Sequence, residues 1–187
     1  MKSKALSVAA LSLALSGGLA LTVTAQEGAP FGQEEDVNYA DQLWNAMTEA
    51  DLAGESPIRT VPYEGQHPHG AVLETLYQDD FTLEGHTGAL VIKRNYGGEG
   101  VSKEAVSNNP NRYLGAVTIM YQREEGYDPE NHNWFWAKYL PDGSLDKNPK
   151  GMPLAGRVAK GASQGCIACH SGAPGGDMLF TTNRFGD

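Results

Sequence analysis

The stretch between residues 71 and 140 most constrains the fold. Four segments there, AVLETLY (71–77), GALVIKRNY (88–96), YLGAVTIMYQRE (113–124) and NWFWAKYL (133–140), are rich in β-branched and aromatic residues and end in turn clusters such as GGEG, EGYDPENH and PDGS. Their connections leave no room for crossover helices, apart from a short helical turn over 101–107, so the strands are expected to pair antiparallel. In the third segment Tyr113, Val117, Ile119 and Tyr121 share one face, while Leu114, Ala116 and Met120 share the other. Both faces are therefore expected to be covered, by a helix and the C-terminal segment on one side and something bulky on the other. Upstream, DVNYADQLWNAMTEADLAG sets Tyr39, Leu43, Met47 and Ala50 at helical spacing, with Asp36 as the expected N-cap and Gly54 as the stop. SPIRTVPYEGQHPHG, broken by prolines and glycines, reads as a loop feeding the sheet. The class this predicts is α+β: a mainly antiparallel β-sheet with an N-terminal helix and a short helix near the C-terminus.

The first 25 residues, MKSKALSVAALSLALSGGLALTVTA, carry Lys2 and Lys4, then an apolar run broken by Gly17 and Gly18, then small residues before Gln26. That pattern is a bacterial-type secretory signal, with the periplasm as expected destination. Residues 5–22 approach the roughly 17–25 apolar residues of a membrane span. The glycine break and the polar QEGAPFGQEED that follows favour cleavage over an uncleaved anchor. The expected organisation is a signal peptide (1–25), an N-terminal helix and loop (26–66) and a main domain (67–187) that forms one globular unit with 26–66. Without the signal, 12 basic residues stand against 23 acidic ones, a net charge of about −11 with histidines neutral. Such a surface repels nucleic acid and, after cleavage, anionic membranes; it suits a small ligand or a basic redox partner, or serves solubility alone.

Near the end stands GCIACHSGAP (165–174), which holds the only two cysteines, Cys166 and Cys169, followed at once by His170. Two thiols about one turn apart can add to the two vinyl groups of a haem, leaving the adjacent imidazole beneath the iron. C-x-x-C-H is the attachment signature of haem c, so the short C-terminal helix is expected to be a haem-attachment helix. Assembly of haem c outside the cytoplasm agrees with the signal. A Cys166–Cys169 disulfide would favour the start of a helix in a βαβ unit. A zinc site would need two of His67, His69, His86 and His132 to complete it. Few residues follow His170, and Met178 is too near in sequence to wrap around a haem edge; Met120 and Met152 are the other conceivable sixth ligands. The reading leans toward an iron open on its distal side, with a simple electron carrier bearing a sixth ligand as the alternative.

The block TIMYQREEGYDPENHNWFWAKYLPDGSL, with AGRVAKGASQGCIACHSGAPGGDMLFT after it, resembles the cytochrome P-460 family, which includes the cytochromes c prime beta. The matching elements are VIKRNY (91–96), Met120-Tyr121, Gly126 to Pro129, Trp134 to Tyr139, the haem motif and Phe180-Thr181. The likeness spans about residues 67 to 183. It implies a mostly antiparallel β domain with a few helices, often a homodimer, carrying one pentacoordinate haem c with His170 as proximal ligand. It implies either oxidation of hydroxylamine, with a lysine additionally bonded to the haem, or binding of nitric oxide and other small gases without that bond.

Which branch applies turns on a lysine at the haem edge. Alternation puts Ala89, Val91 and Lys93 on one strand face and Leu90, Ile92 and Arg94 on the other, so Lys93 is the candidate and Lys138 the alternative. The bland reading is that Lys93 and Arg94 both reach solvent at a strand end. Hydroxylamine oxidation needs a base for its protons, for which Glu74, Asp146 and the pair His67/His69 are the candidates. A gas pocket would be apolar instead, walled by Phe81, Phe135 or a tryptophan.

Overall fold

The computed structural model describes residues 29–180, so the signal peptide and Thr181 lie outside the described residues. The alternating segments form a six-stranded antiparallel sheet in sequential order: β1 (Tyr63–Glu64), β2 (Val72–Leu83), β3 (His86–Tyr96), β4 (Leu114–Gln122), β5 (Trp134–Tyr139) and β6 (Ala155–Gly156). With the helices α1 (Glu34–Glu49), α2 (Lys103–Asn108), α3 (Pro110–Tyr113) and α4 (Cys166–His170) this is an α+β fold. Among the described residues no helix is long and apolar enough to cross a membrane.

Helix α1 forms where the 3.6-residue period was read, and it buries Tyr39, Ala40, Leu43 and Met47. Its ends differ from expectation. Gln33 is the N-cap, and Asp36 sits three residues inside, where its carboxylate accepts a hydrogen bond from the Gln33 amide at 3.2 Å. The helix stops at Ala50, before Gly54, because Asp51 turns left-handed at φ 57° and Leu52 then bonds back to the Met47 carbonyl at 2.7 Å. Asp tolerates that conformation better than most residues.

Strand β2 runs six residues beyond the expected Tyr77. Asp79-Asp80 looks like a turn in sequence, but the register shift between Gln78 and Phe81 absorbs the pair as a bulge, and the chain reverses only at Glu84-Gly85. A second register shift, at Asn95/Tyr96, pairs Tyr96 with Leu114. It turns Leu114 away from Ala116 and Met120 and packs it with the α1-side residues; the strict alternation predicted for that strand end fails there.

The two sheet faces carry separate cores. On one, Leu90, Ile92, Val117, Ile119, Tyr121, Phe135, Ala137 and Tyr139 pack against α1, and the Tyr139 hydroxyl donates to the Ala40 carbonyl at 2.7 Å. On the other, Val91, Met120, Trp134 and Trp136 pack against Val158, Ile167 and Met178. The C-terminal segment thus covers the face opposite α1, not the same face as expected. That arrangement leaves α4 to close a cavity against the second face.

Candidate functional site

The C-terminal chain turns through residues 157–162 and enters α4 at Gly165. A side chain could not replace this glycine: a Cβ there would lie 2.4 Å from that of Ala159. On α4 the i, i+3 spacing sets Cys166 and Cys169 on one side of a single turn, both as free thiols, with His170 one residue on. Cys166 is partly covered and burial pushes its thiol up, so it rests as S–H. Among the described residues no βαβ unit surrounds the pair.

His170 is 7% exposed. Its Nδ1 lies 2.7 Å from the Met178 carbonyl oxygen, which can only accept, so Nδ1 carries the hydrogen and Nε2 of the neutral ring keeps its lone pair. Trp134 anchors the returning loop by donating its indole N–H to the Asp177 carbonyl at 3.2 Å. Trp136 and Phe180 pack edge-on to the imidazole, at 4.8 and 5.2 Å between centroids, and hold its orientation. Burial lowers the His170 pKa, partly offset by the bond to Met178.

Cys166, Cys169 and His170 all line one cavity of about 1160 Å³ between α4 and the second sheet face. Its other walls include His67, His69, Lys93, Met120, Trp136 and Lys138. That is somewhat above the roughly 300–1000 Å³ usual for ligand and cofactor sites. The Trp136 indole N–H is buried without a hydrogen-bond partner.

Lys93 is half-buried in this wall, and its cross-strand neighbours are Thr75 and Thr118, both uncharged. Burial lowers its pKa, and only Cys169 works the other way. Arg94 faces the opposite core at 3% exposure. The bland reading, that both extend to solvent at a strand end, fails for Arg94, which is buried, and Lys93 is half-buried in the cavity wall, because the sheet is covered on both faces. Lys138 also lines the cavity; its ammonium pairs with Asp146 at 2.8 Å.

Of the other predicted residues, His67 and His69 are brought to the cavity and Glu74 is not. Glu74 is fully buried on the α1-side face, where Tyr96 donates to it at 2.8 Å and Arg59 binds it through two nitrogens; as a base for ligands of this cavity it is misplaced. Asp146 lies behind Lys138, outside the lining. Burial raises its pKa, but hydrogen bonds from Lys138 and the Lys147 amide outweigh that and hold it low. His69 lies 6.1 Å from His170, and burial, with the charge of Lys93 and His170, pushes it down to about 4. Phe81 and Phe135, expected as walls of a gas pocket, pack on the α1 side: the bulge after Gln78 turns Phe81 away from the face of Tyr77, and Phe135 falls on the other parity from Trp134 and Trp136. Asn95 and Thr118 were overlooked as lining residues, although both follow from the parity of Lys93 and Met120.

The donor set suits a covalently attached haem: two free thiols one turn apart, a neighbouring imidazole with Nε2 unprotonated, and a mainly apolar cavity large enough to be filled. Among the described residues no group of three or more His, Cys, Asp or Glu is placed to hold a bare metal ion, whereas a haem iron requires one protein ligand. No family model matches the chain, and neither a curated protein nor a solved structure is significantly similar to it. The likeness to cytochromes P-460 rests on the motif residues quoted above.

Proposed function

We propose that this chain is a periplasmic mono-haem c-type protein of the cytochrome P-460 kind, acting on hydroxylamine or a related small nitrogen compound. The observation that carries the reading is the His170 Nδ1 bond to the Met178 carbonyl, on a helix turn whose two free thiols face the same cavity. Cys166 and Cys169 would hold the haem as thioethers, and His170 would bind its iron through Nε2. When bound, the haem would supply a redox-active iron able to take a small ligand.

The chain's own residues supply the rest. Trp136 and Phe180 keep the His170 ring in one orientation, and Met178 keeps its tautomer. Oxidation of hydroxylamine releases protons as well as electrons. His69 in the cavity wall, held neutral at pH 7, can accept a hydrogen bond from a bound nitrogen ligand but is too weak a base to keep its proton; the protons would pass to water and the electrons to a redox partner protein, for which the acidic surface favours a basic one. Lys93 offers a desolvated amine, whose lowered pKa increases its nucleophilic fraction. The placement of this amine in the cavity wall favours hydroxylamine chemistry over gas capture alone.

A second reading has an observation in its favour: Met120 lines the same cavity and is 6% exposed. With its sulfur on the iron, the protein would be a simple electron carrier. The ferric spectrum of protein matured with its haem machinery separates the two. High-spin bands, a shift on adding nitric oxide and turnover of hydroxylamine are expected; a low-spin spectrum indifferent to nitric oxide would overturn the open site.

A further inference from the structure

We propose that a second cavity, on the α1 side of the sheet, is a binding site for a small monovalent anion. It is independent of the haem reading and shares no chemistry with that site. The cavity holds about 310 Å³ and is walled by Leu52, Arg59, Arg94, Tyr96 and Val117, with its rim at residues 54–57. At roughly 30 Å³ per water, that admits an anion with several waters.

The charges here do not balance. Two guanidinium groups, Arg59 and Arg94, meet one carboxylate, Glu74, which the β2–β3 register sets directly opposite Arg94. Glu74 is already committed: it takes the Arg59 Nε at 3.2 Å, the Arg59 Nη2, and the Tyr96 hydroxyl at 2.8 Å. Arg59 is also spent on α2, where Nη2 donates to the Val106 carbonyl at 3.1 Å and Nη1 to that of Ser107 at 3.4 Å.

Arg94 is the group left short. It is 3% exposed, and its Nη2 donates to the Leu52 carbonyl at 2.7 Å. Its Nη1 is buried with no hydrogen-bond partner, and the nearest Glu74 oxygen, at 4.0 Å, is beyond hydrogen-bond range. A guanidinium stays charged under all ordinary conditions, so the deficit cannot be relieved by losing a proton. Glu55 at the rim is exposed and is not among the charges acting on Arg94, which are Tyr96, Glu74 and Arg59. Arg94 lines the cavity, and its unpaired, buried Nη1 donor beside one surplus positive charge suits a small anion, halide or oxyanion.

The test uses the exported full chain with bromide and nitrate as probes. Crystals in bromide should show an anomalous peak within hydrogen-bond distance of Arg94 Nη1. In solution, bromide or nitrate at constant ionic strength, balanced with a bulky anion, should raise the melting temperature saturably. Glu74→Gln frees the competing carboxylate's place, so the apparent bromide affinity should rise severalfold; Arg94→Met should abolish the saturable shift. A water at Nη1 in place of bromide, or a melting shift equal for all anions, would overturn the proposal. So would a Glu74→Gln protein no more responsive than the parent.

Discussion

Replacing Lys93 by Met should make the haem-free protein more stable, and the size of the gain can be worked from its surroundings. The Lys93 ammonium sits half-buried in the cavity wall between Thr75 and Thr118, and no carboxylate faces it. Burial is the main cause of its lowered pKa. Each unit of such a shift is about 1.4 kcal/mol of destabilisation of the charged form. Leaving a polar group buried without a partner costs about 1–3 kcal/mol, and water in the cavity screens part of that, so the expected gain for Lys93→Met at pH 7 is on the order of 1 kcal/mol. The sign with pH follows from linkage. The folded chain releases this proton at a lower pH than the unfolded chain, so wild-type stability gains on the variant as pH rises toward the ordinary lysine value of 10.5. Urea unfolding of both proteins from pH 7 to about 10 reads this directly. A variant no more stable at pH 7, or a gap that does not narrow with pH, would refute the claim that Lys93 is a desolvated and unbalanced cation. Losing the charge should also let His69 titrate at higher pH, since Lys93 helps to hold it low.

Further outcomes follow from other contacts. Tyr139→Phe deletes the bond to the Ala40 carbonyl that ties β5 to α1 and leaves that oxygen buried; urea unfolding should show a loss of about 1–2 kcal/mol. Gly156→Ala puts a Cβ about 2.5 Å from the Asp36 carboxylate at φ +102°, and the melting curve should report a loss of at least about 2 kcal/mol. Because burial holds His69 at about 4 in the fold, the unfolded chain takes its proton first; the haem-free protein should weaken from about pH 6.5 down to 4, by up to about 3 kcal/mol. His69→Gln should flatten that slope, and an unchanged slope would place its cause elsewhere.

The parts of the molecule that were legible in the sequence are those governed by period. Alternation in ALVIKRNY correctly separated Lys93 from Arg94, and the helical spacing of Tyr39, Leu43 and Met47 found α1 and its buried stripe. The failures come where geometry breaks the period. The bulge after Gln78 carried β2 through Asp79-Asp80, and the shift at Asn95/Tyr96 turned Leu114 to the other face. Long-range placement was not legible either. Glu74 looked like a free acid on a strand, but Arg59, 15 residues earlier, and Tyr96, 22 residues later, enclose it. The short strands β1 and β6 have two residues each, too few for any pattern. At the candidate site the C-x-x-C-H spacing located Cys166, Cys169 and His170, while the bond that orients His170 comes from a backbone carbonyl and leaves no trace in residue identity.

The central claim is tested most directly by the intact mass of exported, matured protein, measured after denaturation and acid–acetone extraction. A mass above the cleaved polypeptide by one haem, absent from the Cys166→Ala/Cys169→Ala double variant, is the predicted result. A colourless protein weighing only its amino acids, produced alongside a c-type cytochrome that the same cells do mature, would contradict it.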